Sequence, residues 1–196
     1  MSRADHQART RAALLAAATK LFTQRGYHQT TIDEISSRAG FSRGAFYANF
    51  VDKGDLFLTI LESQRQRDFA QLADALDDSA EEEILERISE WMTRVLVTGP
   101  LRRAMAEFSL AAEMNPAHRR RLVANLQAIR DANAAMIARY RALHHIELTV
   151  DDTTFATMIT ALVGGFADLT RLDRHAVSAD TVAAGLTALW NGVQKG

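Results

Sequence analysis

The sequence predicts an all-α protein, on three observations. Its 196 residues include only two prolines, Pro100 and Pro116, while Leu, Ala, Arg and Glu abound, a composition that favours helix. Apolar residues recur three and four positions apart along most of the chain, the period of an amphipathic helix. Residues 31–50, TIDEISSRAGFSRGAFYANF, carry paired helix-start signals on either side of a glycine.

Residues 1–8 read as a disordered arm. A first helix follows from about Ala8 to Arg25, on a stripe of Leu14, Leu15, Ala18, Leu21 and Phe22. Gly26 ends it, and Tyr27 is expected to pack on the first three helices. Thr31 and Glu34 form a capping box for a second helix, with Ile32, Ile35 and Ala39 on one face. Gly40 supplies the stop, because glycine accepts the positive φ of many helix ends. Ser42 then caps a third helix, from Arg43 to about Phe50.

The third helix has an unusual outer face. Phe46 and Phe50 share the inward side, which leaves the small residues Gly44, Ala45 and Ala48 outward. Tyr47 and Asn49 flank them, and Arg43 sits in the first turn. Such a face lets the helix backbone approach a large partner closely. The DNA major groove admits a helix in this way, and a protein surface is the other candidate.

Lys53 begins a fourth helix, continued to about Leu76 through Leu56, Phe57, Ile60, Leu61, Phe69 and Leu72. At about 1.5 Å per residue it exceeds roughly 30 Å. Asp77–Asp78–Ser79 breaks it, and a fifth helix spans about Ala80 to Val97 with Ile84, Leu85, Ile88, Trp91, Met92 and Val95 inward. Gly99–Pro100 precedes a sixth, about Leu101 to Glu113, and Asn115–Pro116 a seventh, about Ala117 to Leu143. His144–Thr149 reads as a loop. Asp151–Asp152 suits the start of an eighth helix, about Thr153 to Leu172, because carboxylates favour the positive end of the helix dipole. Gly164–Gly165 in its middle predicts a close backbone approach, since each glycine costs a helix about 1 kcal/mol against alanine. Ser178 or Asp180 starts a ninth helix, which ends near Gln194.

Composition narrows the function. The absence of cysteine excludes disulfide frameworks and thiolate zinc sites and fits a reducing cytoplasm. No uninterrupted apolar run approaches the roughly 20 residues of a bilayer span, and MSRADHQARTR lacks a signal peptide's apolar segment. A cytoplasmic protein with no membrane partner is expected. Net charge is −1, but residues 1–55 hold eight Lys/Arg against five Asp/Glu, so the first part is basic and the remainder acidic. Phosphate binding asks for that asymmetry. No nucleophile–base set, paired catalytic carboxylates or glycine-rich phosphate loop appears, so no enzyme is expected. His118, His144, His145 and His175 have no metal-ligand spacing, and neither metal nor cofactor is expected. Arg102–Arg103 and Arg119–Arg121 read as solvated faces.

From Arg11 to Phe57 the sequence is similar to the tetracycline-repressor (TetR) family of bacterial transcriptional regulators. Gly26–Tyr27, Thr30–Thr31, Ala39–Gly40, Ser42, Gly44, Tyr47, Phe50, Lys53 and Leu56 stand where that family's pattern has them. The resemblance covers roughly the first third of the chain. It implies a three-helix helix-turn-helix DNA-binding domain over residues 1–52, with the recognition motif at 31–50. A six-helix effector-binding and dimerisation domain would follow over residues 53–196. The function so implied is a homodimeric, sequence-specific transcriptional regulator, a repressor released from its operator by a small, largely apolar ligand. Its partners would be a pseudo-palindromic double-stranded operator, that effector and a second copy of itself.

Residue roles follow from the same resemblance. DNA contacts are expected from Thr31, Ser42, Arg43, Gly44, Ala45, Tyr47, Ala48, Asn49 and Lys53, with Tyr47 and Lys53 on phosphates. Asn49 stands where the family often has histidine, and Gly54 replaces a more helix-favouring residue, which predicts a softer joint. Candidate ligand contacts are Phe69, Trp91, Met105 and Phe108 with Met136, Tyr140, Phe155 and Met158, since Met and aromatic side chains adapt to varied apolar ligands. Met158, Leu162, Gly165 and Phe166 of helix eight, with Leu186, Leu189, Trp190 and Val193 of helix nine, are the expected dimer interface. The rival reading is an all-helical ligand-binding or protein-interaction module without DNA binding.

Overall fold

The computed structural model describes residues 2–77, 84–97, 99–173 and 175–195. Among these stand nine α-helices: α1 Arg3–Arg25, α2 Ile32–Ala39, α3 Arg43–Tyr47, α4 Lys53–Asp77, α5 Ile84–Met92, α6 Arg102–Glu113, α7 Pro116–His144, α8 Asp152–Leu172 and α9 Ala179–Val193. A π-helical turn, Thr93–Val97, continues α5. The all-α architecture expected from the sequence is present.

Two helix boundaries differ from expectation. Residues 3–8 are helical, because Ser2 and Asp5 form a capping box in which each side chain serves the other's backbone N–H. The third helix is shorter than expected: Asn49 N–H bonds to Phe46 O, three residues back, and closes α3 as a turn. The expected break at Asp78–Ser79 and the start of the fifth helix at Ala80 lie outside the described residues, as do the side chains of Leu76, Ile84 and Leu85.

The chain forms two compact units. The first comprises Met1–Gln64 and Arg103–Asn125. Its core joins Leu14, Leu21 and Phe22 of α1 to Ile35, Phe46, Leu56 and Phe57, all essentially buried. A ring cluster extends this core to α6. Phe57 lies 4.9 Å from Phe22 and 5.0 Å from Phe108, and Tyr27 lies 5.0 Å from Phe108, between ring centroids. Such edge-on and tilted pairs add to the burial of the rings.

Polar ties repeat the connection. Glu107 of α6 accepts the His28 backbone N–H at 2.8 Å and the Arg103 Nε–H at 2.8 Å. Burial opposes the Glu107 charge, but these donors prevail and hold its carboxyl below the ordinary range. Arg121 of α7 bridges Asp55 at 2.5 Å and Glu62 at 2.9 Å, so it is an ion-paired link and not the solvated residue expected from sequence.

His118 of α7 sits 3.0 Å from an Asp52 carboxylate oxygen, with its ring against Phe108. This ring explains Gly54. A Cβ at position 54 would fall 2.7 and 2.8 Å from the His118 ring nitrogens. Gly54 is therefore the seat of the imidazole, which corrects the expectation of a soft joint. Gly54→Ala is expected to lower stability by about 1–3 kcal/mol through overpacking. Adding His118→Ala should restore part of the loss, and thermal unfolding of the single and double variants checks this coupling.

The second unit comprises Arg65–Arg102 and Leu126–Gly196. One cluster joins Leu72, Trp91, Met92, Val97, Val163, Val182 and Leu186. Another joins Ile137, Leu148, Phe155, Ala156, Trp190 and Val193. The loop before α8 is tied to the chain after α9, where Thr149 N–H bonds to Val193 O at 2.7 Å and Lys195 N–H to Glu147 O at 2.9 Å. Arg102 donates to the Ala167 carbonyl and is not simply solvated.

Helix α8 departs from expectation twice. Among the described residues nothing beyond α8's own backbone and the adjoining residues lies within 4 Å of a Cβ built at Gly164 or Gly165, and a close approach falls instead at Gly185, 3.1 Å from the Phe166 ring. By length and composition α8 is also apolar enough to cross a membrane, although the sequence shows no unbroken apolar run. Its residues Phe155, Ala156, Val163 and Thr170 are buried within the chain.

Candidate nucleic-acid interface

The turn between α2 and α3 is built by backbone chemistry. Gly40 has φ +77°, and the Phe41 N–H returns to Ser36 O at 2.9 Å, which satisfies the end of α2. Ser42 Oγ then accepts the Ala45 N–H at 3.2 Å and starts α3. Thr31 caps α2 in the same way, with Glu34 returning to the Thr31 N–H.

Phe46 and Phe50 anchor α3 inward, at 0 and 2% exposure. What remains outside is Ser42, Arg43, Gly44, Tyr47 and Ala48, with Ala45 partly covered. Arg43 lies 3.3 Å from both the Asp33 carboxylate and the Tyr47 hydroxyl oxygen. The Tyr47 hydrogen bond and the Asp33 charge hold the guanidinium firmly protonated. Tyr47 itself is 49% exposed. The outward set therefore pairs a cation and a phenol beside backbone covered only by small side chains.

Asn49 is placed differently from the rest. Its Nδ2 donates to Ala45 O at 2.8 Å within its own helix, and its Oδ1 is buried without a partner. Its backbone carbonyl accepts from Arg11 at 2.8 Å, and the Arg11 guanidinium lies 4.3 Å from the Phe50 ring centroid. The Asn49 amide thus serves the helix end, which corrects its assignment as an outward DNA contact. Sequence reasoning missed this role of Arg11, because its partners lie 38 residues away and leave no local signal.

Lys53 also faces inward in part. Its ammonium donates to the Tyr27 and Thr30 carbonyls, each at 2.8 Å, and lies 4.3 Å from the Tyr27 ring centroid. Burial lowers its pKa against the pull of Glu107 and Glu34. An ammonium has three N–H donors, and two of them fix the loop between α1 and α2 to the start of α4.

The second unit contains a cavity of about 190 Å³. Helix α7 lines one side with Asn133, Met136, Ile137 and Tyr140, while Ile88, Met92, Phe155, Ile159, Leu186 and Trp190 close much of the rest. Met136, Tyr140 and Phe155, among the candidate ligand contacts, line this cavity. Phe69 and Trp91 meet as a tilted ring pair, 5.7 Å between centroids, and Met158 packs with the Phe155 cluster. Met105 and Phe108 belong to the first unit, where Phe108 completes the ring cluster. The ligand-lining expectation is corrected for those two.

Of the residues expected at a dimer interface, Leu186, Trp190 and Val193 are buried within the chain itself. The apolar face of α9 turns inward, and Leu186 and Trp190 become cavity wall. Met158, Leu162, Phe166 and Leu189 are half-buried, and Gly165 is exposed. The outward faces carry small residues: Ala161, Gly164 and Gly165 on α8, and Ala184, Ala188 and Gly192 on α9. Among the described residues no group of three or more His, Asp or Glu could hold a metal ion.

Residues 14–60 match the family described as bacterial regulatory proteins, tetR family. Over 58 residues the chain is 47% identical to the HTH-type transcriptional repressor BepR of Brucella suis, a match covering 30% of this chain and 28% of that protein. The chain thus aligns with little more than a quarter of that relative's length. Solved structures extend the likeness in fold. One is a TetR-family transcriptional regulator from Rhodococcus, with TM-score 0.77 and 22% identity, covering 96% of this chain and 100% of that one. Another is FadR of Bacillus subtilis in complex with stearoyl-CoA, with TM-score 0.73 and 17% identity, covering 93 and 98%.

Proposed function

We propose that this chain, a member of the tetR family of bacterial regulatory proteins, acts in the cytoplasm as a homodimeric transcriptional repressor released from its operator by a small, largely apolar ligand. The observation that carries this reading is the outer face of α3. Arg43, Gly44, Tyr47 and Ala48 are exposed on a helix whose other side is anchored by Phe46.

Helix α3 enters the major groove, and Gly44, Ala45 and Ala48 let its backbone approach the bases. Ser42 and Tyr47 reach phosphate oxygens through their hydroxyls. Arg43 exchanges its exposed Asp33 partner for DNA, a small loss because such surface pairs contribute little. Thr31 meets the backbone from the start of α2, and Lys53 holds the loop behind it while adding positive charge.

Two copies pair through the small-residue faces of α8 and α9, and two-fold symmetry presents two α3 helices to a pseudo-palindromic operator. The cavity of the second unit holds the effector, which favours the conformer with lower DNA affinity. The ligand in the Bacillus subtilis FadR structure supports a sensing role for this fold.

Fluorescence anisotropy tests the reading, using the DNA upstream of the chain's own gene against unrelated competitor DNA. Specific binding is expected, with the logarithm of affinity falling linearly with the logarithm of salt concentration as phosphate contacts release counterions. No specific binding there or in genome-wide site selection would overturn the regulator reading in favour of a module that binds no DNA. Tyr47→Phe is expected to weaken operator binding about five- to tenfold, the worth of roughly one hydrogen bond, without changing Tm. Lys53→Ala should weaken binding and lower Tm together, because the ammonium also holds the Tyr27 and Thr30 carbonyls. Wild-type affinity in both variants would show that neither contributes to the DNA surface.

A further inference from the structure

We infer that the cavity of the second unit takes a small neutral molecule, a monocyclic aromatic or an aliphatic body of similar size, bearing one hydrogen-bonding group that meets Asn133. This rests on the effector reading above and narrows it to a ligand class.

The first support is the placement of Asn133. It shares a stripe of α7 with Met136, Ile137 and Tyr140, at spacings of three, four and seven residues, and all four line the cavity. Asn133 is only 8% exposed. Its amide offers two N–H donors and a carbonyl acceptor, yet among the described residues its side chain has no hydrogen-bond partner. Nor is it remote from the cavity: its side chain is part of the lining, within reach of a bound molecule. A buried polar side chain in that condition is costly unless something serves it. A ligand hydroxyl, carbonyl or amide would do so, and a plain hydrocarbon would not.

The second support is size. An apolar cavity of about 150 Å³ is enough to bind benzene, so the 190 Å³ here accommodate a ring with a few further atoms. The walls suit a ring: Trp190 stands 5.6 Å from Tyr140 and 5.7 Å from Phe155 between centroids.

The third support is charge. Arg139 and His144 are the ionisable cationic side chains at the cavity. Arg139 is exposed and already engaged, and the His144 ring lies tilted against Tyr140, 4.3 Å between centroids. Among the described residues no acidic side chain lines the wall. An ionised ligand group would therefore lose water without gaining a buried counter-charge, and a neutral polar group is preferred.

The test uses p-cresol and p-xylene, which differ by a hydroxyl in place of a methyl. Their binding to the full-length protein is measured directly by calorimetry, and operator release is followed separately by anisotropy. The parent is expected to bind p-cresol. Asn133→Leu should weaken p-cresol about tenfold while p-xylene binds as tightly as before or tighter. Asn133→Ala gives the same comparison if leucine overfills the site. Equal losses for both probes, or no change for either, would overturn the role of Asn133. If neither probe binds the parent at millimolar concentration while a larger apolar compound releases the operator, the ligand class is wrong and the effector reading stands. If p-cresol binds through Asn133 yet operator affinity is unchanged at saturation, the ligand class stands and the effector reading fails.

Discussion

Phe108→Ala should cost the first unit about 3–5 kcal/mol, the range for truncating a fully buried phenylalanine. Phe108 is 0% exposed, and its ring meets Tyr27, Phe57 and His118. Those three residues come from the loop after α1, from α4 and from α7. Truncation therefore leaves a cavity at the point where α6 and α7 join the helix-turn-helix. Denaturant unfolding followed by tyrosine fluorescence and circular dichroism measures the loss. A loss below about 1 kcal/mol would mean that α6 packs only loosely on this unit.

Gly26→Ala should be nearly as damaging, for two reasons that add. Gly26 has φ +82° and ψ −179°, a region open essentially to glycine, where another residue is strained by about 1–3 kcal/mol. An added Cβ would also fall 2.6 Å from a Glu107 carboxylate oxygen and push it from the His28 N–H. Adding Glu107→Ala to Gly26→Ala separates the two effects, since it removes the side chain that the Cβ meets and leaves the backbone strain.

The pH dependence has a definite sign. The folded Glu107 carboxyl titrates below its ordinary value of 4.5, so its contribution is present above that value and disappears as pH falls through the folded pKa. The parent's Tm should therefore drop more than that of Glu107→Gln between about pH 6 and the folded pKa. Parallel Tm curves for the two proteins would show that the Glu107 charge is not coupled to folding.

Much of the candidate DNA-binding surface was legible because its signals are local. The Thr31–Glu34 capping box, the Gly40 stop and the Ser42 cap act within a few residues, and each forms as expected. The burial of Phe46 and the exposure of Tyr47 followed from helical period alone. Asn49 did not follow, because its carbonyl is claimed by Arg11 of α1 and its amide turns back to Ala45. Lys53 was placed correctly at a helix start, but its two carbonyl partners belong to a loop more than 20 residues earlier.

Farther along the chain, periodicity marked apolar faces without saying what each face meets. Phe108 and Met136 looked alike as sequence, yet one fills the core of the first unit and the other a cavity wall in the second. Gly54 looked like a weakness and is the space for an imidazole contributed by residue 118. The sequence by itself determined the all-α class, the order of the helices and the helix-turn-helix, because capping, glycine stops and a 3.6-residue period are properties of neighbouring residues. Only the tertiary structure decided that α6 and the start of α7 belong with the first unit, that Trp190 turns inward, and that Asn133 faces the cavity. Those depend on side chains brought together from distant parts of the chain, and no local pattern encodes them.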